Sequence, residues 1–486
     1  MNAPSRLIPC PLKEAAAKYP QEPAIIWSSR TISWKKLDQY VDASVRELKK
    51  RGVQSASRVA IVDENGPEYI IVLLALWRMN AVACPLSSHL PEMALVEIVQ
   101  KIKAVMVLSA MPQPLSLVKI RVPKVRLEEV IRFDARELVN DQAKEQRVDL
   151  EQEATIILTS GSSGEGKAAM LTYGNHYFNA RGSNDVILLK PGDRWLLTLP
   201  LYHVAGIGVL FRALLAGAAI VISDGKKELW KQIEDMKVTH VSLVSTQLYR
   251  LLNTVGTWHA VSLRAVLLGG SAIPKNLIKQ ALAAKLPVYL SYGLTEMASQ
   301  VATGKVRNPD DPCVCVLPHR QLKISADGEI LVRGKTLFKG YIQAQKISKI
   351  LTNDGWFATG DLGMLDAQGN LTVTGRRDNM FISGGENIQP EEIERCLGQM
   401  EEIEDAVVVP MADQEFGKRP VAFVKFQNEN MVAPVLAMIK HLEQFLPRFK
   451  IPVEFYAWPE DIQGAEIKLN RKYFAESKKI KKTILR

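Results

Sequence analysis

Apolar positions along this chain follow two alternating rhythms. Trp34, Leu37, Val41, Val45 and Leu48 recur at three- and four-residue steps, which puts them on one face of a helix. Ser33 stands where a side-chain oxygen can cap the first turn, and Gly52 ends the run, so the pattern predicts a helix within 31–52. Arg58-Val59-Ala60-Ile61-Val62 then reads as a short strand, and 67–79 as a second helix. The alternation continues to about Leu290, the pattern of a parallel sheet wrapped by helices. Segment 112–150 is charged and weakly periodic, and is expected to lead over the surface into the glycine-rich loop at 159–167.

The texture changes at Leu322. Short β-like runs at 321–325, 329–333 and 370–374, separated by Gly-containing turns, predict a β-rich subdomain. Near Arg377 and Asp378 a new unit begins, with a helix after Pro390, strands at 406–409 and 421–426, and a helix at 433–445. The expected fold is α/β. A large N-terminal unit over 1–377 holds layered sheets and helices with the β-rich subdomain, and a small α+β unit occupies 378–486.

With 47% hydrophobic and 23% charged residues in 486, the composition is that of an ordinary soluble enzyme. The formal net charge is +10, and part of the excess sits at the end, in Lys472, Lys478, Lys479, Lys481 and Lys482. No aromatic-basic pattern accompanies it, so anionic small molecules are expected rather than nucleic acid. The five cysteines, Cys10, Cys84, Cys313, Cys315 and Cys396, are scattered, and Cys313 and Cys315 have no second pair at zinc spacing. A reducing compartment is expected. The longest apolar stretches, 69–86 and 206–222, are interrupted by Arg78 and Arg212 and are short for a bilayer span. The start lacks a basic-then-apolar leader pattern, so the expected location is cytoplasmic, without a stable membrane span. A homo-oligomer is left open.

The chemistry begins at Thr159-Ser160-Gly161-Ser162-Ser163-Gly164-Glu165-Gly166-Lys167, which follows the apolar run 155–158. Successive backbone N–H groups in such a glycine-rich loop form an anion nest, the hydroxyls add donors, and Lys167 adds a charge. That is a phosphate cradle by composition. Gly161 to Lys167 has P-loop spacing, but Ala168 stands where a P-loop needs Ser or Thr for Mg²⁺. A solvated Ser/Gly linker is the plain alternative.

Further motifs follow in order: Leu199-Pro200-Leu201-Tyr202-His203, Leu268-Gly269-Gly270-Ser271, and Ser291-Tyr292-Gly293-Leu294-Thr295-Glu296. Thr359-Gly360-Asp361, Gly375-Arg376-Arg377-Asp378 and Ser383-Gly384-Gly385-Glu386 complete the set. Taken singly, Asp361 reads as a turn residue, Glu296 as a charge at a helix start, and His203 as a core histidine. Together, over about residues 20–475, they resemble the acyl-CoA synthetase branch of the adenylate-forming enzymes.

The resemblance implies a two-step ligase with ATP, Mg²⁺ and coenzyme A as co-substrates, and a small domain that is mobile. It assigns phosphate contacts to Thr159, Ser160, Gly161, Ser162, Ser163, Gly164, Lys167 and Thr295. Glu296 would hold Mg²⁺, whose preference is for oxygen ligands shared with the phosphates. Gly269, Gly270, Ser271, Tyr292 and Gly293 would surround the adenine. Asp361 would take the ribose hydroxyls with Arg376 beside it, and His203 would sit over the reacting centre. The family's terminal lysine motif matches Lys468-Leu469-Asn470-Arg471, although Ile467 replaces its glycine. Lys468 would then be the catalytic lysine, Asp378 the hinge, and Ser383, Gly384 and Gly385 the passage for the pantetheine of coenzyme A.

Several stretches, among them 241–248, 263–270, 293–299, 379–394 and 413–420, resemble the o-succinylbenzoate–CoA ligases of menaquinone synthesis. The terminal Ile-Lys-x-x-Arg fits that branch as well. Such a substrate has a second carboxylate, and Arg212 lies within the apolar run 208–215 where this branch places its substrate arginine, with Ser242 at another pocket position. A guanidinium buried there needs an anion, and its planar fork suits a carboxylate. The alternatives are an arginine that reaches water along its stem, a ligase for another acid, and a non-catalytic nucleotide-binding relative.

Overall fold

The computed structural model describes residues 6–90, 92–109, 122–131, 146–159, 167–253, 262–270, 273–309, 314–343, 346–383, 386–413, 416–427, 433–459 and 471–476. Two large sheets organise the N-terminal unit. One runs in the order Lys346–Ser348, Gly340–Gln343, Lys167–Thr172, Glu153–Thr159, Val82–Leu86, Arg58–Val62, Met106–Ser109, Lys124–Arg126. The other has a parallel centre, Val288–Leu294, Ala265–Leu268, His240–Leu243, Arg194–Leu197, Ala219–Ile222 and Pro23–Trp27. Ser299–Lys305 joins it antiparallel beside Val288–Leu294.

Helices Pro67–Arg78, Tyr173–Ile187 and Val204–Ala216 fill the layer between the sheets. Pro67–Arg78 is buried continuously from Tyr69 to Trp77, as an all-round apolar helix must be. Its Trp77 ring meets Phe211 at 4.9 Å, and one core joins Ile61 and Ala83 of the first sheet to Ile25, Trp195 and Ile220 of the second. The outer faces have their own helices: Glu92–Lys101 on the first sheet, and Leu229–Asp235, Ser245–Asn253 and Lys275–Ala283 on the second.

The β-rich subdomain is an antiparallel sheet of Arg320–Ile324, Glu329–Gly334, Phe357–Leu365 and Leu371–Arg376. The small unit has a separate core around Ile403–Asp413, Gly417–Phe426 and Glu454–Ala457. Alternate residues go to opposite sides, as strand geometry requires. Val408, Ala422 and Phe455 pack on Ile393, Leu397 and Met438, while Val407, Val409 and Phe423 pack with Phe474.

The expected helices appear as Trp34–Lys50, whose first turn is capped where Ser33 Oγ accepts from Lys36 N at 3.4 Å, and Pro67–Arg78. Each long apolar stretch folds as a buried helix followed by a buried strand, and no helix among the described residues is long and apolar enough to cross a membrane. Cys10, Cys84 and Cys396 are buried thiols, and Cys313 lies outside the described residues. The expectation for 112–150 needs correction in its described parts. Lys124–Arg126 extends the first sheet with Leu127 and Val130 buried behind it, and Arg147–Asp149 pairs with Leu7–Pro9. Three-residue strands are too short to show a period, so sheet pairing decided what pattern could not.

The small unit carries a pH-sensitive strain. Asp405 Oδ1 accepts from Ala406 N at 2.8 Å, yet burial, with Glu394 and Glu404 nearby, pushes its carboxyl up to about 6. An acid raised in the folded state destabilises once ionised, so stability falls as pH climbs from about 4 towards 6. Asp405→Asn should therefore stabilise the protein by about 1–2 kcal/mol above pH 7 and hardly at all near pH 4, read from denaturant unfolding. An equal gain at both pH values would contradict this account.

Candidate active site

Parallel strands leave their carboxyl ends on one edge of the second sheet, and ligands of α/β folds gather there. Ala265–Leu268 ends in Gly269-Gly270, Val288–Leu294 runs into the turn Thr295–Met297, and Arg194–Leu197 leads to His203 at the cap of helix Val204–Ala216. Gly270 has φ +88°, and a Cβ on Gly293 would lie 2.0 Å from the Ser299 carbonyl oxygen. Only glycine allows Val288–Leu294 and Ser299–Lys305 to close so tightly just before Thr295 and Glu296. Lys167 pairs directly with Thr159, so the loop between them is closed at its base; Ser160, Gly161, Ser162, Ser163 and Gly164 lie outside the described residues.

Lys167 and Glu296 meet through a residue that sequence reading missed. Tyr341 Oη donates to Glu296 Oε1 at 2.5 Å, and Lys167 Nζ lies 5.3 Å from the centre of the same ring. Burial, then the Glu296 carboxylate, holds the phenol above its ordinary range, so it remains a donor. Tyr341 follows an apolar segment in a Gly-Tyr pair, a pattern common to many strand starts; nothing in the sequence singles it out.

A second cluster contains Asp361. It is interior to strand Phe357–Leu365 rather than in a turn, and is 8% exposed. Arg376 Nη1 donates to its Oδ1 and Tyr292 Oη to its Oδ2, both at 2.7 Å. Arg376 also reaches Asp378, with Nη2 at 3.5 Å from Oδ2. Burial opposes the Arg376 charge, but Asp361 and Asp378 more than offset it and raise its pKa. The expected nucleotide residues and the expected hinge are thus linked through one guanidinium.

Arg212 forms the third cluster. It is 1% exposed on the buried face of Val204–Ala216, so it does not reach water. Nη1 donates to Gln300 Oε1 at 2.8 Å, and the guanidinium lies 4.4 Å above the Trp195 ring. Trp195 Nε1 in turn donates to Ser242 Oγ at 3.2 Å, joining the two expected substrate residues through one indole. Nε is buried and donates to no partner among the described residues, and no described carboxylate forms an ion pair with this cation. Burial pushes its pKa down to about 9, against the usual value above 12. An amide oxygen and a ring face the guanidinium, and the anion expected beside it was the substrate's second carboxylate.

His203 is half-buried beside Tyr202, with ring centres 4.7 Å apart, and burial lowers its pKa. It is thus a half-buried neutral side chain rather than a fully enclosed core residue. Ser383 is buried in the hairpin of Phe381–Ser383 and Glu386–Ile388. Ser271, Gly384, Gly385 and Lys468 lie outside the described residues. The anchor that follows Lys468 is described. Arg471 holds Glu394 through both carboxylate oxygens and donates to the Val408 carbonyl at 2.8 Å. Phe474 fills the cluster with Phe423, Tyr456 and Trp458.

Among the described residues, no group of three or more His, Cys, Asp or Glu could hold a metal. Mg²⁺ needs no such cage, because one or two carboxylates and the substrate's phosphates complete its octahedron. Glu296 fits that role, with Oε1 held by Tyr341 and no described donor on Oε2.

Comparison with known proteins agrees with this layout. The AMP-binding enzyme family model matches residues 12–342, and the AMP-binding enzyme C-terminal domain model matches 392–463. The 2-succinylbenzoate–CoA ligase of Salmonella typhimurium is 34% identical over 454 residues, covering 93% of this chain and 94% of that protein. A structure of an Escherichia coli MenE variant with bound OSB-AMS aligns with a TM-score of 0.81 at 31% identity, covering 95% of this chain and 97% of that one. MenE from Bacillus subtilis in complex with ATP and magnesium ion aligns with a TM-score of 0.85 at 27% identity, covering 96% and 99%. With both its units matched and its strand-end residues gathered as described, the chain belongs to the AMP-binding enzyme family.

Proposed function

We propose that the chain is an ATP- and coenzyme A-dependent acid–thiol ligase that converts 2-succinylbenzoate to its CoA thioester in menaquinone biosynthesis. Its curated relatives carry that activity in their names over more than nine-tenths of both chains. The observation that carries the choice of acid is Arg212, a buried guanidinium over the Trp195 ring whose charge no described carboxylate meets. A diacid brings the missing anion.

In the first step a substrate carboxylate oxygen attacks the α-phosphorus of ATP, the bond to the β-phosphate oxygen breaks, and pyrophosphate leaves. In the second, the thiol of coenzyme A attacks the acyl carbon and AMP leaves. Positioning and charge stabilisation supply most of the rate in such chemistry. Thr159, Ser160, Gly161, Ser162, Ser163, Gly164, Lys167 and Thr295 hold the phosphates, and Glu296 holds Mg²⁺. When bound, Mg²⁺ supplies charge neutralisation on the triphosphate. Gly269, Gly270, Ser271, Gly293 and the Tyr292 ring enclose the adenine. Tyr292 and Arg376 fix both oxygens of Asp361, which accepts from the ribose hydroxyls.

Lys468 bonds the reacting carboxylate and the α-phosphate, and His203 shields them from water. Arg212 and Ser242 receive the distal carboxylate end, steadied by Trp195. The chain divides at Arg377/Asp378. Asp378 acts as the hinge by which the small unit exchanges Lys468 for Ser383, Gly384 and Gly385, whose short side chains admit pantetheine. A cytoplasmic location completes the reading.

Pyrophosphate release with ATP and Mg²⁺ tests the activity across 2-succinylbenzoate, benzoate, a medium-chain fatty acid and no acid. Turnover with 2-succinylbenzoate, and thioester formation when coenzyme A is added, is the expected result. Release with a monoacid alone would remove the diacid assignment, and silence throughout would remove the ligase. Arg212→Met separates binding from folding. It should raise KM for the diacid on the order of 100-fold with ATP within about twofold, because a charge-assisted pair is lost. Without substrate its stability should stay within about 1 kcal/mol of wild type, since the desolvation cost of the buried charge disappears with it. An unchanged diacid KM would contradict the assignment.

A further inference from the structure

We infer that Tyr341 is a positioning residue that aims the Glu296 carboxylate at the metal of the nucleotide. The inference rests on the reading of Glu296 as the metal-holding carboxylate.

Three features fix the phenol. Gly340–Gln343 pairs antiparallel with Lys167–Thr172, with Tyr341 opposite Ala169, so the ring stands on the strand that begins with Lys167. Phe338 meets it edge-on at 4.8 Å, and Phe338 N donates to the Glu296 carbonyl at 2.7 Å. The segment before the ring therefore grips the backbone of the residue whose side chain the ring holds. Tyr341 is 8% exposed, and its Oη reaches Glu296 Oε1 at 2.5 Å.

The chemistry of the donor explains why a phenol serves here. Glu296 has no described cationic partner on either oxygen, whereas Asp361 is paired to Arg376. A lysine or arginine on Glu296 would cancel the charge that a divalent cation requires. A neutral O–H occupies one oxygen, fixes the plane of the carboxylate, and leaves its shared negative charge uncancelled by a cation. Groups that orient a metal-binding side chain in this way commonly change metal affinity by 10–100-fold when removed. The same ring faces Lys167 Nζ at 5.3 Å from its centre, so the two ends of the phosphate site share one rigid support.

The test is Tyr341→Phe, which keeps the ring and its contact with Lys167 and removes only the O–H. Mn²⁺ binding to the protein with a non-hydrolysable ATP analogue, followed by electron paramagnetic resonance, should weaken by about tenfold. Half-saturating Mg²⁺ for pyrophosphate release should rise by a similar factor. Thioester formation from preformed acyl-adenylate, which has no triphosphate, should stay within about twofold. Unchanged Mn²⁺ affinity would overturn the inference, as would equal loss in both half-reactions, which marks a merely structural role. Glu296→Gln is measured in parallel. If it weakens Mn²⁺ while Tyr341→Phe does not, only the Tyr341 inference fails; if neither weakens it, the metal reading of Glu296 fails too.

Discussion

A guanidinium with no carboxylate beside it among the described residues sets the terms for the middle of this protein. Taking a cation out of water costs several kcal/mol even after relaxation, and Arg212 is withdrawn almost completely. What surrounds it is arranged around that cost. Trp195 lays a ring under the charge, Gln300 turns its amide oxygen to Nη1, and Gln300 Nε2 is anchored on Thr303 Oγ1 at 2.7 Å. Asn179 Nδ2 holds the Gln300 carbonyl at 2.9 Å, tying strand Ser299–Lys305 to helix Tyr173–Ile187. A neutral amide and a ring support the cation without satisfying it. In the proposed reaction this leaves the charge available to a substrate.

The carboxylates of the site follow a related logic. Tyr292 takes one oxygen of Asp361 and Tyr341 one oxygen of Glu296, the first from a half-buried ring and the second from a buried one, and both phenols remain protonated. A phenol orients a carboxylate while leaving its charge intact. Asp361 differs in also meeting Arg376, which extends to Asp378, the proposed hinge. One guanidinium thus joins the proposed ribose carboxylate to the proposed hinge.

Most of the architecture was legible because long periodic segments announce themselves. The runs containing Leu37 and Val41, or Val59 and Ile61, have a single face or a continuous core to fill, and they folded accordingly. Asp361 and Glu296 were legible only through the ordered motif set, since each alone has an ordinary local explanation. Tyr341, Trp195 and Gln300 escaped notice because their roles arise from contacts between elements far apart in sequence. Tyr341 lies 45 residues from Glu296, and Gln300 lies 88 from Arg212. The anion expected beside Arg212 is one that the proposed substrate would bring, and among the described residues the guanidinium meets an amide oxygen and a ring.

The distal carboxylate is the point on which this account turns. Equilibrium affinity should be measured for a non-hydrolysable 2-succinylbenzoyl-adenylate analogue and for the same compound with its free carboxylate methylated. The account predicts that methylation weakens binding on the order of 100-fold, about 2–3 kcal/mol, because a buried charge loses its partner. Equal affinities would contradict it.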